Sequence, residues 1–205
     1  MREIINAQPG YEEFPVSDAP MIGGQIEVTH TGLTFPSIIV ETAFHTNPDD
    51  AVALLDPVFQ SAAMKGVEKG YRLHRQNEDC TPYEITDVPD VSAPWGSSAL
   101  VSISFEGFPQ YPVELEVVDA ECSTICTPGG GTLPSEWPSP IQLNMSCDGD
   151  PDSPPASAFW RVTLRDADGV ETEHEYNSYC GGGASPAAKQ SLTPTDFDVR
   201  VSDGN

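Results

Sequence analysis

Apolar side chains recur at every second position over several short stretches of this chain, and a period of two marks a half-buried β-strand. Ala99, Val101, Ile103 and Phe105 alternate with Ser98, Leu100, Ser102 and Ser104. Val113, Leu115 and Val117 alternate with Glu114 and Glu116, and Ile141, Leu143, Met145 and Cys147 with Gln142, Asn144 and Ser146. Residues 160–165 lead through Asp166-Ala167-Asp168-Gly169 into 170–176. Glycine tolerates the positive φ that such a turn needs, so this segment predicts a hairpin, with Arg161 and Arg165 set against Glu171, Glu173 or Glu175 across it. Further strands are predicted at 25–30, 37–44 and 83–86, and Phe197, Val199 and Val201 alternate once more near the end.

One segment changes period. Asn47 can cap a helix, Pro48 suits its first position, and Asp49 and Asp50 fall in the first turn, where the helix dipole favours negative charge. Ala51, Leu54, Leu55, Val58, Phe59, Ala62 and Ala63 follow at helical spacing. Pro57 removes a backbone donor, so the helix either kinks there or restarts with Asp56 as a new cap. The fold class expected is therefore mainly β, a β-sandwich of immunoglobulin-like kind with one short helix around residues 48–65, with α+β as the alternative. The chain divides into an extended N-terminal arm (1–20) containing Pro9, Gly10, Pro15 and Pro20, an α+β region (21–96), and a sandwich-like region (97–205).

Composition agrees with many short strands and turns, since the 205 residues include 20 Pro and 17 Gly. Charge narrows the partners. With 32 acidic against 9 basic residues the formal net charge is −23, which repels nucleic-acid phosphates and anionic lipid surfaces. Lys65, Lys69, Arg72, His74 and Arg75 concentrate positive charge in one stretch around Tyr71 and Leu73. They are expected to pair with the chain's own carboxylates or with an acidic surface of a neighbour. Residues 1–10 show no apolar run of a secretory leader, and no run of about 18 apolar residues occurs. Neither export by that route nor membrane insertion is expected.

Five cysteines, Cys80, Cys122, Cys126, Cys147 and Cys180, are expected as reduced thiols at synthesis, open to oxidation once exposed to an oxidising exterior. Cys122 and Cys126 have a zinc-ligand spacing but lack a second matching pair. Asp148, Asp150 and Asp152 stand on alternate residues as at the start of a calcium loop, and they are the candidate metal ligands. The loop then departs from that pattern, with Ser153 at its sixth position and Phe159 at its twelfth. Gly129-Gly130-Gly131 is not followed by the Gly-Lys-Ser/Thr of a phosphate loop, and no Gly-x-Ser-x-Gly occurs. No catalytic residue and no cofactor are assigned, and the chain is read as a non-enzyme.

The opening Ile4-Ile5-Asn6-Ala7-Gln8-Pro9-Gly10 resembles the starts of small proteins encoded among the structural genes of tailed bacteriophages. That resemblance implies a virion component made in the host cytoplasm: a capsid decoration protein, a neck or tail adaptor, or a fibre-attachment protein. Its partners would be other virion proteins in a homo-oligomeric or symmetric assembly. On this reading the arm straps onto a neighbouring subunit through Ile4, Ile5, Pro9, Tyr11 and Phe14. The alternative is a calcium-dependent adhesion or carbohydrate-binding module.

Overall fold

Two short polar side chains decide where the main helices begin. The Asn47 side chain accepts a hydrogen bond from the Asp49 N–H at 3.1 Å, and Asp56 accepts one from the Val58 N–H at 2.8 Å. Each is followed by proline at the first helical position, where its missing donor costs nothing. The computed structural model describes residues 1–16, 42–121, 129–135 and 139–181, and the chain falls into two compact units, Met1–Cys80 and Thr81–Asn205.

The first unit is helical. It holds α1 (Arg2–Asn6), α2 (Pro48–Leu55) and α3 (Pro57–Gln76). One stripe of α3 is buried, formed by Phe59, Ala62, Ala63, Gly66, Lys69 and Leu73 at spacings of three and four. Its small residues let α1 come close: a Cβ on Gly66 would stand 2.6 Å from the Met1 Cα. The helix ends at Asn77, whose left-handed φ of 59° lets the Asn77 and Glu78 N–H groups bond back to the His74 and Leu73 carbonyls. Of the kink or restart expected at Pro57 the restart is found, and α3 runs eleven residues beyond the expected end at 65.

Among its described residues the second unit is a sandwich of eight strands. These are β1 (Glu84–Asp87), β2 (Val91–Ala93), β3 (Ser97–Glu106), β4 (Val113–Asp119), β5 (Gly129–Leu133), β6 (Ile141–Cys147), β7 (Ala156–Arg165) and β8 (Glu171–Cys180). One sheet has the order β1-β3-β6 and the other β2-β8-β7-β4-β5. Only β2 and β8 pair in parallel among the described strands. A first strand divided between two sheets, its second half parallel to the last of the described strands, gives the topology of an immunoglobulin-like sandwich. The inner faces meet as a core of Val101, Ile103, Ile141 and Leu143 against Val117, Trp160, Val162 and Leu164. Trp160 keeps its indole N–H satisfied inside that core by donating to the Ser178 hydroxyl at 2.7 Å.

Each end of the sandwich has its own fastening. At one, the buried Asp166 carboxylate accepts backbone N–H bonds from Gln110, Asp168 and Val170, tying the β3–β4 loop to the β7–β8 turn. Gly169 at that turn has φ of 89°, as the hairpin reading requires. At the other, Cys147 and Cys180 form a buried disulfide with Cα atoms 5.5 Å apart, joining β6 of one sheet to β8 of the other. In antibody domains the inter-sheet bridge joins the second and sixth lettered strands, the counterparts of β3 and β7 here.

Three expectations are corrected. Residues 1–16 are not an extended arm, because Ile4 and Ile5 gain more by burying against α3 in a helical turn than by trailing in water. The sandwich begins at Glu84 and not at residue 97, since β1 and β2 pair with β3 and β8. Residues 129–133, where no strand is expected from the sequence, form one, with β4 supplying the partner. The strands expected at 25–30 and near 197–201, most of that at 37–44, and Cys122 and Cys126 lie outside the described residues.

Candidate interaction surfaces

The residues expected to strap onto a neighbour are held by the chain itself. Ile4 and Ile5 are buried, and Tyr11 and Phe14 stack on Phe59 with ring centroids 5.3 and 4.9 Å away. Pro9 alone of the five is exposed. The turn is locked by polar contacts: the Asn6 amide donates to the Glu12 carbonyl at 2.6 Å, and Arg2 donates to the Val16 carbonyl at 2.9 Å. Lys69, almost fully buried, pairs with Glu3 and joins α1 to the middle of α3. The Tyr11 hydroxyl donates to Asp56 at 2.7 Å. That bond lowers the Asp56 pKa, with help from the Val58 N–H, and raises that of Tyr11. Ile4, Ile5, Tyr11 and Phe14 therefore pack within the helical unit, and Pro9 stays at its surface.

Large apolar side chains stay exposed on both main helices. Val52 and Leu55 on α2 are 70% and 81% exposed, and Met64 and Tyr71 on α3 are 63% and 62% exposed. Met64 and Tyr71 lie seven residues apart, two turns along a stripe that points away from Phe59 and Leu73. Lys65, Arg72 and Arg75 flank that stripe, with Glu68 paired to Arg72 at 3.5 Å. Apolar side chains set among cations on an exposed helix are a surface suited to an acidic, partly apolar partner. The sequence showed the basic cluster; it did not show the face, because α3 was expected to stop short of it.

The outer face of the five-stranded sheet carries the opposite sign. Its register sets Glu114, Arg165 and Glu171 in one row, Glu116, Thr163 and Glu173 in the next, and Val118, Arg161 and Glu175 in the third. Arg165 donates to Glu171 at 2.8 Å through Nε, and the Glu171 carboxylate raises its pKa further. Arg161 reaches Glu175 at 3.7 Å. Both are the cross-strand pairs expected of the hairpin. The middle row contains no cation, and its two exposed glutamates flank a short threonine. Beyond Glu116 lies Gly130, where a side chain is excluded: φ is 136° and a Cβ would stand 2.0 Å from the Leu115 carbonyl oxygen.

Asp148, Asp150 and Asp152 lie exposed in the β6–β7 loop beside the disulfide. Asp150 uses its carboxylate to fix the loop, accepting the Asp152 N–H at 3.0 Å, while Trp95 donates its indole N–H to the Ser153 carbonyl at 3.0 Å. Among the described residues no three of His, Cys, Asp and Glu are gathered to hold a metal ion. Tyr83 and Tyr176 are strongly raised in pKa by burial, Tyr83 also by the nearby Asp166 carboxylate; Tyr176 stands in the sandwich core and Tyr83 against Phe105. Neither is assigned a chemical role.

No family model and no curated protein matches the chain. Among solved structures it is similar to murine CRIg, at a TM-score of 0.27 and 12% identity, with 46% of this chain and 92% of that chain covered.

Proposed function

We propose that this chain is a non-catalytic structural and interaction protein that works on the oxidising exterior of an assembly, as a component of a tailed-phage particle binding neighbouring virion proteins. The observation that carries the reading is the buried Cys147–Cys180 bridge across the two sheets. A disulfide of this kind persists where glutathione and thioredoxin do not reduce it, which is the condition of a released particle or a cell surface. The sandwich it closes presents the glutamate rows of its outer sheet face on a fixed register, and a charged surface of this kind steers docking rather than chemistry. The N-terminal resemblance supplies the phage context. Calcium-dependent adhesion is not advanced, because the Asp150 carboxylate already fixes its own loop.

Purified particles test this directly. Peptide mapping without reductant is expected to find the chain at a fixed ratio to the major particle protein, with Cys147 and Cys180 cross-linked. Recovery of the chain from the soluble cell fraction alone, or with both thiols free, would overturn it.

A further inference from the structure

We propose that the outer face of α3 docks on the outer face of the five-stranded sheet of a second copy of this chain. The inference deepens the assembly reading above by naming the two surfaces that meet.

Basic side chains concentrate in α3. Four of the nine Lys and Arg residues lie in α3, which has a single acidic residue, Glu68, within a chain of net charge −23. Lys69 among them is internal to the helical unit, so the cations on the outer face are Lys65, Arg72 and Arg75, set around Met64 and Tyr71, with Arg72 also paired to Glu68 on the same helix. On the sheet, five glutamates share the outer face with two arginines, and both arginines already pair with Glu171 and Glu175. Glu114, Glu116 and Glu173 give that face its excess of negative charge. Each surface is thus the complement of the other, and opposed potentials of this kind fix partner choice and orientation.

Dimensions agree as well. From Lys65 to Arg75 the helix rises about 15 Å at 1.5 Å per residue. From Glu171 to Glu175 the strand extends about 14 Å at 3.4 Å per residue. Across the sheet, Glu116 and Glu173 stand two strands apart, roughly 10 Å, with Thr163 as a low floor between them. A guanidinium lowered onto that floor meets a carboxylate on each side. Gly130, at the margin of the row, adds no side chain to obstruct the approach. Because the two surfaces differ, the contact is heterologous, so repetition from copy to copy yields a ring if the rotation closes and a filament if it does not.

Sedimentation of the full chain over a concentration series, at low and high salt, tests the contact. Association is expected at low salt and its loss at high salt, as screening requires. Arg72→Glu with Arg75→Glu, and separately Glu116→Lys with Glu173→Lys, should each weaken association about tenfold or more. Mixing the two double variants should restore it, since each reversed helix then meets a reversed sheet. A wild-type chain that stays monomeric at every concentration would overturn the proposal. So would a mixture that fails to recover, the result expected if α3 met the sheet only within one chain. Restored association in a chain never found on particles would remove the virion reading and leave this contact standing.

Discussion

The two units of this molecule reach stability by different means. The helical unit closes on small side chains: Ala53, Ala62, Ala63 and Gly66 give close backbone approach, and the Lys69–Glu3 pair and Phe59 ring cluster supply what alanine cannot. The sandwich closes on Val, Ile, Leu and Trp from two sheets, a covalent bridge at one end and a carboxylate that gathers three backbone donors at the other. One unit depends on fit and local polar contacts, the other on apolar area and long-range fastening. Each should therefore yield to its own class of substitution while leaving its neighbour intact. Tryptophan emission follows the sandwich, because Trp95, Trp137 and Trp160 all fall in residues 81–205, while circular dichroism at helical wavelengths follows the first unit.

The largest effect expected is loss of the bridge. Replacing Cys147 and Cys180 together with alanine frees a loop of sequence separation 33, which by chain entropy costs about 3 to 4 kcal/mol. Urea unfolding read by tryptophan should shift by that amount with the helical transition unmoved; coincident shifts would show that the units are not independent. Asp166→Ala comes next. It orphans the Gln110, Asp168 and Val170 donors at the opposite end, and a loss of about 3 kcal/mol is expected in the same tryptophan transition. Ile4→Ala reverses the pattern, removing about 2 to 3 kcal/mol from the helical transition alone through the cavity left against α3.

The smallest effect concerns pH and the Tyr11–Asp56 bond. Asp56 titrates below its ordinary value when folded, so its contribution is complete above the ordinary carboxylate range and is lost as pH falls through the folded value. Tyr11 titrates above its ordinary 10.0, so its contribution is complete below that value and is lost as pH rises through the folded one. Tyr11→Phe should flatten both limbs of the helical unit's pH–stability curve and leave those of the sandwich unchanged. An unchanged helical curve would show the bond to be immaterial.

The same contrast explains how far the sequence could be read. Residues 141–147 are a strand with the boundaries their alternation gives, and the hairpin expected over 160–176 from Gly169 and its flanking period is found, with β7 starting four residues earlier and β8 ending four residues later. Both rest on side chains that face a core on one side and water on the other, which is what periodicity records. β5 escaped because three glycines have no side chains to alternate; its strand state comes from pairing with β4. α1 escaped because a five-residue helix has no local stability, and only contact with α3 makes Ile4 and Ile5 helical. The last turns of α3 escaped because Gly66 and Gly70 weaken helix propensity, although the buried positions continue through Leu73 at the same spacing. Of the surfaces, the basic cluster and the Arg–Glu pairs of the hairpin were legible. The pairing of Cys147 with Cys180 was not, since spacing does not select partners among five cysteines.

The parallel pairing of β2 with β8 carries a mechanical consequence. Tension drawn between Val91 and Cys180 pulls these strands in opposite directions along a common axis. Their hydrogen bonds are then loaded in shear all at once, instead of opening one after another as in an unzipping hairpin. Force arriving through Cys180 also passes across its sulfur link into β6, so the second sheet shares the load before any strand is peeled away.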